Sequence, residues 1–252
     1  MANAKIGITE RGDAGIDFSW REKLATVNNR AVLITKRLSE KFCDAVLEET
    51  AKGAKLIVHA TITGFGGTVI EPNVLQPAEC LKNLRSLIDK GFPAERIVLR
   101  IDPIIPGYEN YAKDTLDKAL QLGILPAVTC KVSVMDGYRH VHERFKAIGV
   151  QLPFTGFAPD QAVFDKINAL LGYYKTNYNI RFTSCAERRL TNAEPAGCID
   201  KHVCEILDVS FEYQGVNPQN RGDCLCLNGI KTELLTQKKR CPHQCAYCYW
   251  RD

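Results

Sequence analysis

No uninterrupted apolar run in this 252-residue chain approaches the roughly 18 residues that a bilayer-crossing helix needs, so no membrane association is expected. The first ten residues, Met1 to Glu10, hold no apolar segment of signal-peptide length and no small-residue cleavage pattern, and a cytoplasmic location is the expectation. Internal repeats, low-complexity tracts and domain-dividing linkers are missing too, which excludes solenoids and tethered modules. Nor is there a strong charge of one sign: 33 basic against 29 acidic residues leave +4, a balance that permits an anionic partner without demanding one. The apolar share of 45% and charged share of 25% are those of an ordinary globular protein with a sizeable core.

Cysteine is what the chain has in plenty. In a reducing compartment eleven cysteines point to metal ligands or small buried hydrophobes before disulfides. Cys43, Cys80 and Cys130 stand singly in apolar-periodic segments, where packing explains them. The other eight (Cys185, Cys198, Cys204, Cys224, Cys226, Cys241, Cys245 and Cys248) crowd towards the end. Cys204, with Val203 and Ile206 close by in a helical pattern, is assigned to packing.

The first two-thirds repeats one unit, a short β-rich run followed by a turn and a stretch of helical period. The expected strands are Ile6–Thr9, Ala31–Thr35, Leu56–Thr61, Ile97–Ile101, Leu125–Val132 and Ile180–Thr183, mostly unbroken apolar runs of the kind buried on both faces. A helix starts at Pro77, carries Leu81, Leu84, Leu87 and Ile88 on one face and closes at Gly91. Leu116, Ala119 and Leu120 mark another, and Val163, Ile167, Leu170 and Leu171 a third that breaks near Gly172. Six strands alternating with helices predict a parallel α/β fold, a βα barrel or an open sheet. Residues 1–187 form that domain, and residues 188–252 a Cys-rich tail laid across its mouth.

Ligands bind at the carboxyl ends of such strands. The candidates there are Arg11 and Asp13, Lys36, Thr63, Arg100 and Asp102, Lys131, Ser133, Cys185 and Glu187. Pro103 and Pro106 stiffen the turn that aims Arg100 and Asp102. His59 within a strand is expected to be a satisfied core histidine, and His140, His142 and Arg144 a solvated helix face. Tyr138, Tyr173, Tyr174 and Tyr178 could stack on bases and Arg188-Arg189 could meet phosphate, so a nucleic-acid partner stays open.

The closing stretch, Cys241-Pro-His-Gln-Cys245-Ala-Tyr-Cys248-Tyr-Trp250, puts three thiolates at C-x3-C-x2-C spacing, one short of a closed zinc site or a fully ligated four-iron cluster. It resembles the signature of radical S-adenosylmethionine (SAM) enzymes. That resemblance implies a [4Fe–4S] cluster on Cys241, Cys245 and Cys248 with SAM at the open iron, Tyr247 against the adenine, and a partial (β/α)6 barrel. It also implies an external reductant of the flavodoxin or ferredoxin kind. The Ile70-Glu71-Pro72 segment and the Arg100 to Gly107 turn look like the middle of the spore photoproduct lyase group. More closely, the chain resembles the DUF1848 family, through Arg11 and Asp13, Ile70-Glu-Pro, Cys185-Ala-Glu187, Gly197-Cys198-Ile-Asp200, Asp223-Cys224-Leu-Cys226 and the closing loop.

Two departures from the general radical SAM pattern stand out. The cluster loop comes last instead of after the first strand, and Gly66-Gly67 is followed by Thr68 where the family's SAM-binding motif has glutamate. Thr63, Glu71 and Arg100, with Asp102, are therefore the candidates for holding SAM. Arg11, Asp13 and Glu187 complete the catalytic, substrate-selecting rim. Cys185, Cys198, Cys224 and Cys226 fit a second [4Fe–4S] cluster, or a structural zinc. The competing readings are a non-enzymatic zinc ribbon using Cys224, Cys226, Cys245 and Cys248, and an iron–sulfur electron-transfer protein.

Overall fold

Unbroken apolar runs suit strands covered on both faces. In the computed structural model, which describes residues 5–210, 215–216, 224–236 and 241–251, six such runs form β1 (Ile6–Ile8), β2 (Arg30–Thr35), β3 (Lys55–Thr61), β4 (Ile97–Ile104), β5 (Thr129–Val134) and β6 (Phe182–Ser184). Asp223 lies outside the described residues. Two further short strands, β7 (Glu194–Pro195) and β8 (Lys231–Glu233), come from the cysteine-rich tail. All pairings are parallel, in the order β7-β6-β5-β4-β3-β2-β1-β8. The expected α/β class with a parallel sheet is present, with eight strands in place of six because the tail adds one at each edge.

The connections are helical: α1 (Trp20–Lys23), α2 (Glu40–Ala51), α3 (Pro77–Asp89), α4 (Glu109–Gln121), α5 (Arg139–Ala147), α6 (Gln161–Tyr178) and, in the tail, α7 (Lys201–Ile206). Their starts follow capping chemistry. Ser39 accepts the Phe42 amide at 3.3 Å ahead of α2, Asp200 accepts that of Val203 at 3.1 Å ahead of α7, and Pro77 is the first residue of α3.

Alternation sends Ala31 and Leu33 of β2 to the helix side, where they join Phe42, Leu81, Leu116, Phe164 and Leu171 in the main core. Val32 points the other way, into a second cluster with Ile6, Ile8 and Ile57 that is closed by Ile199, Val203, Leu207, Leu227 and Ile230 of the tail. A third cluster lies beyond the strand ends, where Phe65, Ile70, Met135, Val141 and Phe145 surround Cys245, Ala246 and Tyr247.

Two local expectations give way. Leu125 to Val128 is not strand; Pro126 has no N–H to give a ladder, and the segment turns so that Leu125 and Val128 plug the helix-side core before β5 begins. Gly172 does not break its helix, for α6 runs through it to Tyr178. A Cβ there would come within 2.9 Å of the Asn192 Nδ2, so the residue is glycine because the tail crosses α6 closely. The lone cysteines behave as small hydrophobes: Cys43, Cys80, Cys130 and Cys204 are buried, and burial pushes the Cys43 and Cys80 thiols up to about 12.

Candidate functional site

Parallel strands bring every following loop to one rim, and there a cavity of about 230 Å³ opens. Asp13, Arg100, Asp102, Cys185 and Glu187 of the expected rim line it. The closing loop supplies Cys241, Cys245, Tyr247 and Cys248, and Cys198 enters from the tail. Arg11 is exposed and is not among the residues that line it, Thr63 and Glu71 are buried and do not line it, and Cys224 and Cys226 lie outside it. Lys36 and Lys131 also line the cavity.

The loop from Cys241 to Arg251 is last in sequence but is held at the rim by three separate elements. After β1, the buried Asp13 carboxylate lies 2.8 Å from His243 Nε2. Beyond β3, Asn73 donates to the Pro242 carbonyl at 2.8 Å, and the Ala246 amide donates to the Ile70 carbonyl at 2.9 Å. From α5, Arg144 donates to the carbonyls of Ala246 at 2.9 Å, Arg251 at 2.8 Å and Cys248. Arg144 is therefore no solvated surface group, and the buried His243 ties the loop to Asp13.

Glu71 is 1% exposed, and its charge is met by Lys36 Nζ at 3.1 Å and by the Tyr247 hydroxyl. Lys36 also bonds that hydroxyl, so the side chain expected beside an adenine has its polar end tied to a buried ion pair. Burial pushes the Asp13 carboxyl up, yet the His243 contact, the Thr35 hydroxyl and the Lys36 amide together hold it below the ordinary carboxylate range. On the loop, burial raises the Cys241 thiol and lifts Cys245 to about 12. Each of these two feels the charge of Cys248, and Cys245 also that of Cys241. Thiols so placed stay neutral until a cation stabilises their ionised form.

At the opposite wall Arg100 pairs with Asp102, and Ser133 donates to the same carboxylate. The Arg100 Nε is buried with no hydrogen-bond partner among the described residues. The Val134 amide donates to Glu187 at 3.3 Å.

The tail cysteines meet each other. Cys185 and Cys224 have their sulfurs 3.8 Å apart, Cys198 contacts both Cys185 and Cys226, and Cys224 contacts Cys226. Among the described residues no three His, Cys, Asp or Glu groups already surround one point at coordination geometry. The four thiols nonetheless close a ring of neighbours, distinct from the loop trio. His59 is buried as expected but not satisfied: its Nδ1 has no partner among the described residues. Desolvation, with Lys131 and Arg100 nearby, keeps its ring neutral well below the usual histidine range.

Of the aromatic and basic groups considered for nucleic acid, Tyr174 is fully buried and Arg189 stacks 3.7 Å over the Phe164 ring. Tyr138 stacks on Tyr249 of the closing loop, with centroids 5.8 Å apart. Sequence reasoning placed Lys36 among the strand-end candidates, and the cavity includes it. It missed the loop-holding roles of Arg144 and His243, of which only His243 carried a local signal, its place between two loop cysteines.

Among the described residues no helix is long and apolar enough to cross a membrane. A family model described as "Domain of unknown function (DUF1848)" matches residues 21–250. No curated protein matches the chain significantly.

Proposed function

We propose that this chain, which belongs to the DUF1848 family, is a radical SAM enzyme whose [4Fe–4S] cluster is held by Cys241, Cys245 and Cys248. The observation that carries the reading is that these three thiols open together on the cavity at the strand ends, while the loop's His243 is taken up by the Asp13 carboxylate at 2.8 Å. An all-thiolate set one ligand short suits an iron–sulfur cluster with a free position better than a closed zinc site. The grouping of Cys224 and Cys226 with Cys185 and Cys198 disfavours a ribbon that would pair them with Cys245 and Cys248.

The same arrangement supports the kinship with spore photoproduct lyase. Ile70 and Glu71, from the first resembling stretch, hold Ala246 and Tyr247 of the loop. It supports the barrel as well: β1 to β6 lie in chain order, with β8 beside β1 and β7 beside β6.

When bound, such a cluster with SAM supplies a one-electron cleavage that yields a hydrogen-abstracting 5′-deoxyadenosyl radical, the electron coming from a flavodoxin- or ferredoxin-like donor. The residues of this chain bind, orient and exclude. Arg144 and His243 fix the loop backbone, and Lys36 with Glu71 fixes Tyr247. Arg100, which lines the cavity, offers its guanidinium to a carboxylate or carbonyl of the bound molecule, with Asp102 holding it in place. Asp13, Asp102, Glu187, Lys36 and Lys131 all line the cavity, a mixed polar lining that favours a small polar substrate or nucleotide over a polynucleotide.

The test is anaerobic reconstitution with iron and sulfide, then reduction in the presence of SAM. 5′-Deoxyadenosine is expected from the wild type and not from Cys245→Ala. Iron and sulfide without 5′-deoxyadenosine would leave an electron-transfer protein; zinc at the loop and no iron would overturn the reading.

A further inference from the structure

We propose that Cys185, Cys198, Cys224 and Cys226 hold a single tetrahedral metal ion of the zinc class, and not a second iron–sulfur cluster, and that this ion ties together the two edges of the sheet. The proposal does not depend on what the closing loop binds.

The sulfur spacing is the first argument. Four thiolates about 2.3 Å from one ion stand at the corners of a tetrahedron with edges of about 3.8 Å. Cys185 and Cys224 are 3.8 Å apart, the length of one such edge, and Cys198 neighbours both Cys185 and Cys226; three of the sulfurs do not yet surround one point, and small side-chain rotations would bring them onto a single ion. In a cubane cluster each thiolate binds a different iron, and the ligand sulfurs are held well apart by the cluster itself.

Backbone geometry is the second argument. The Cys198 amide donates to the Cys226 sulfur at 3.1 Å, and the Cys226 amide is directed at the Cys224 sulfur. Amides aimed at sulfur stabilise thiolates, the form that binds metal. Gly197 permits this approach, since a Cβ on it would sit 3.0 Å from the Cys226 nitrogen. The Leu227 amide then bonds the Ile199 carbonyl at 2.9 Å, fixing the two segments to each other.

Charge is the third. A divalent ion with four thiolates carries a net charge of −2, which a buried site must offset. Lys131 is 5% exposed and donates to the Gly197 carbonyl at 2.7 Å, one residue from Cys198. The charges of Arg100 on Cys198 and of Lys231 on Cys226 act in the same sense.

Topology gives the ion its task. Cys185 directly follows β6, next to one edge of the sheet, while Cys224 and Cys226 lead into β8, the other edge. Between them the described residues of the tail contribute the two-residue β7, one short helix, α7, and a small apolar cluster. A four-thiolate ion there joins both edges to the tail that covers the inner face, in the manner of structural zinc sites.

The experiment uses the full chain with Cys241, Cys245 and Cys248 all changed to Ala, so that any metal bound belongs to the tail. Prepared anaerobically with both iron and zinc supplied, this variant is expected to retain about one zinc per chain and no sulfide. Adding Cys224→Ser should lower the zinc at least tenfold. If that variant precipitates, cobalt(II) loading of the triple variant decides. The spectrum of a tetrahedral four-thiolate cobalt site is expected, and an octahedral or thiolate-poor spectrum would overturn the proposal. Four irons with sulfide in the triple variant, or no bound metal, would also overturn it.

Discussion

His243 Nε2 lies 2.8 Å from the Asp13 carboxylate, a contact between residues 230 positions apart in which both partners are buried. It fastens the last loop of the chain to the loop that follows the first strand. Asp13 also accepts from the Gly15 amide at 2.8 Å, the Lys36 amide at 2.8 Å and the Thr35 hydroxyl at 2.6 Å. Asp13→Ala strips four donors of their acceptor and should cost about 3–5 kcal/mol in urea unfolding at neutral pH. Because the folded carboxyl lies below its ordinary 3.8, its contribution is present above that value and fades as pH falls below it. Asp13→Asn should therefore flatten the acid limb of the stability profile, and an unchanged limb would show that the contact carries no charge.

The triad of Lys36, Glu71 and Tyr247 makes an ordering prediction. Tyr247→Phe removes one donor from Glu71 but leaves the ion pair, for a loss of about 1–3 kcal/mol. Lys36→Met leaves a carboxylate that is 1% exposed without its cation, and about 3–5 kcal/mol is expected. Adding Glu71→Gln to Lys36→Met should recover most of that loss. A double variant no more stable than Lys36→Met alone would mean that packing, not charge, dominates there.

Arg144 spans the carbonyls of Ala246, Cys248 and Arg251 with one guanidinium. Bonds to a charged donor contribute roughly 1.5–3 kcal/mol each, so losing all three should ease local opening of the loop by at least 3 kcal/mol. In Arg144→Ala, hydrogen exchange at the Ala246 amide is expected to speed up about a hundredfold or more, with amides of β3 and β4 unaffected. Lysine should restore little, for an ammonium has no planar fork to reach three acceptors. Uniform acceleration across the sheet would instead make Arg144 a global stability residue.

These contacts also mark how far the sequence was legible. Strands β1 to β6 were readable because a strand covered on both faces leaves an unbroken apolar run, as in Leu56 to Val58. The site was readable as residue types at strand ends, which brought Asp13, Arg100, Asp102 and Glu187 to one cavity with the three loop cysteines. Which groups meet across the chain was not readable. Arg144 has the local look of a charged helix face, and only a loop 102 positions later turns it inward. Gly172 follows the helix-breaker rule in isolation, and the crossing of Asn192 is what overrules it. The tail looked irregular because β7 and β8 are two and three residues long, too short to show a period, although they complete both edges of the sheet.

Glu233, in β8, opposes the general acid sensitivity. Burial pushes its carboxyl up to about 7 from 4.5, aided by the charge of Glu10, while the Arg11 and Leu235 amides only partly offset this. One carboxyl oxygen, Oε2, is buried with no partner among the described residues. The folded state thus keeps a proton that the unfolded chain releases at lower pH. Its contribution to stability is fully present below about 4.5 and is lost as pH rises through about 7. Glu233→Gln mimics the protonated form, so the variant should match the wild type near pH 4 and exceed it in Tm by a growing margin towards pH 8. The strand that gains is the one pairing with β1 ahead of the closing loop. A margin that does not change with pH would show that Glu233 ionises in the folded protein as it does in the unfolded chain.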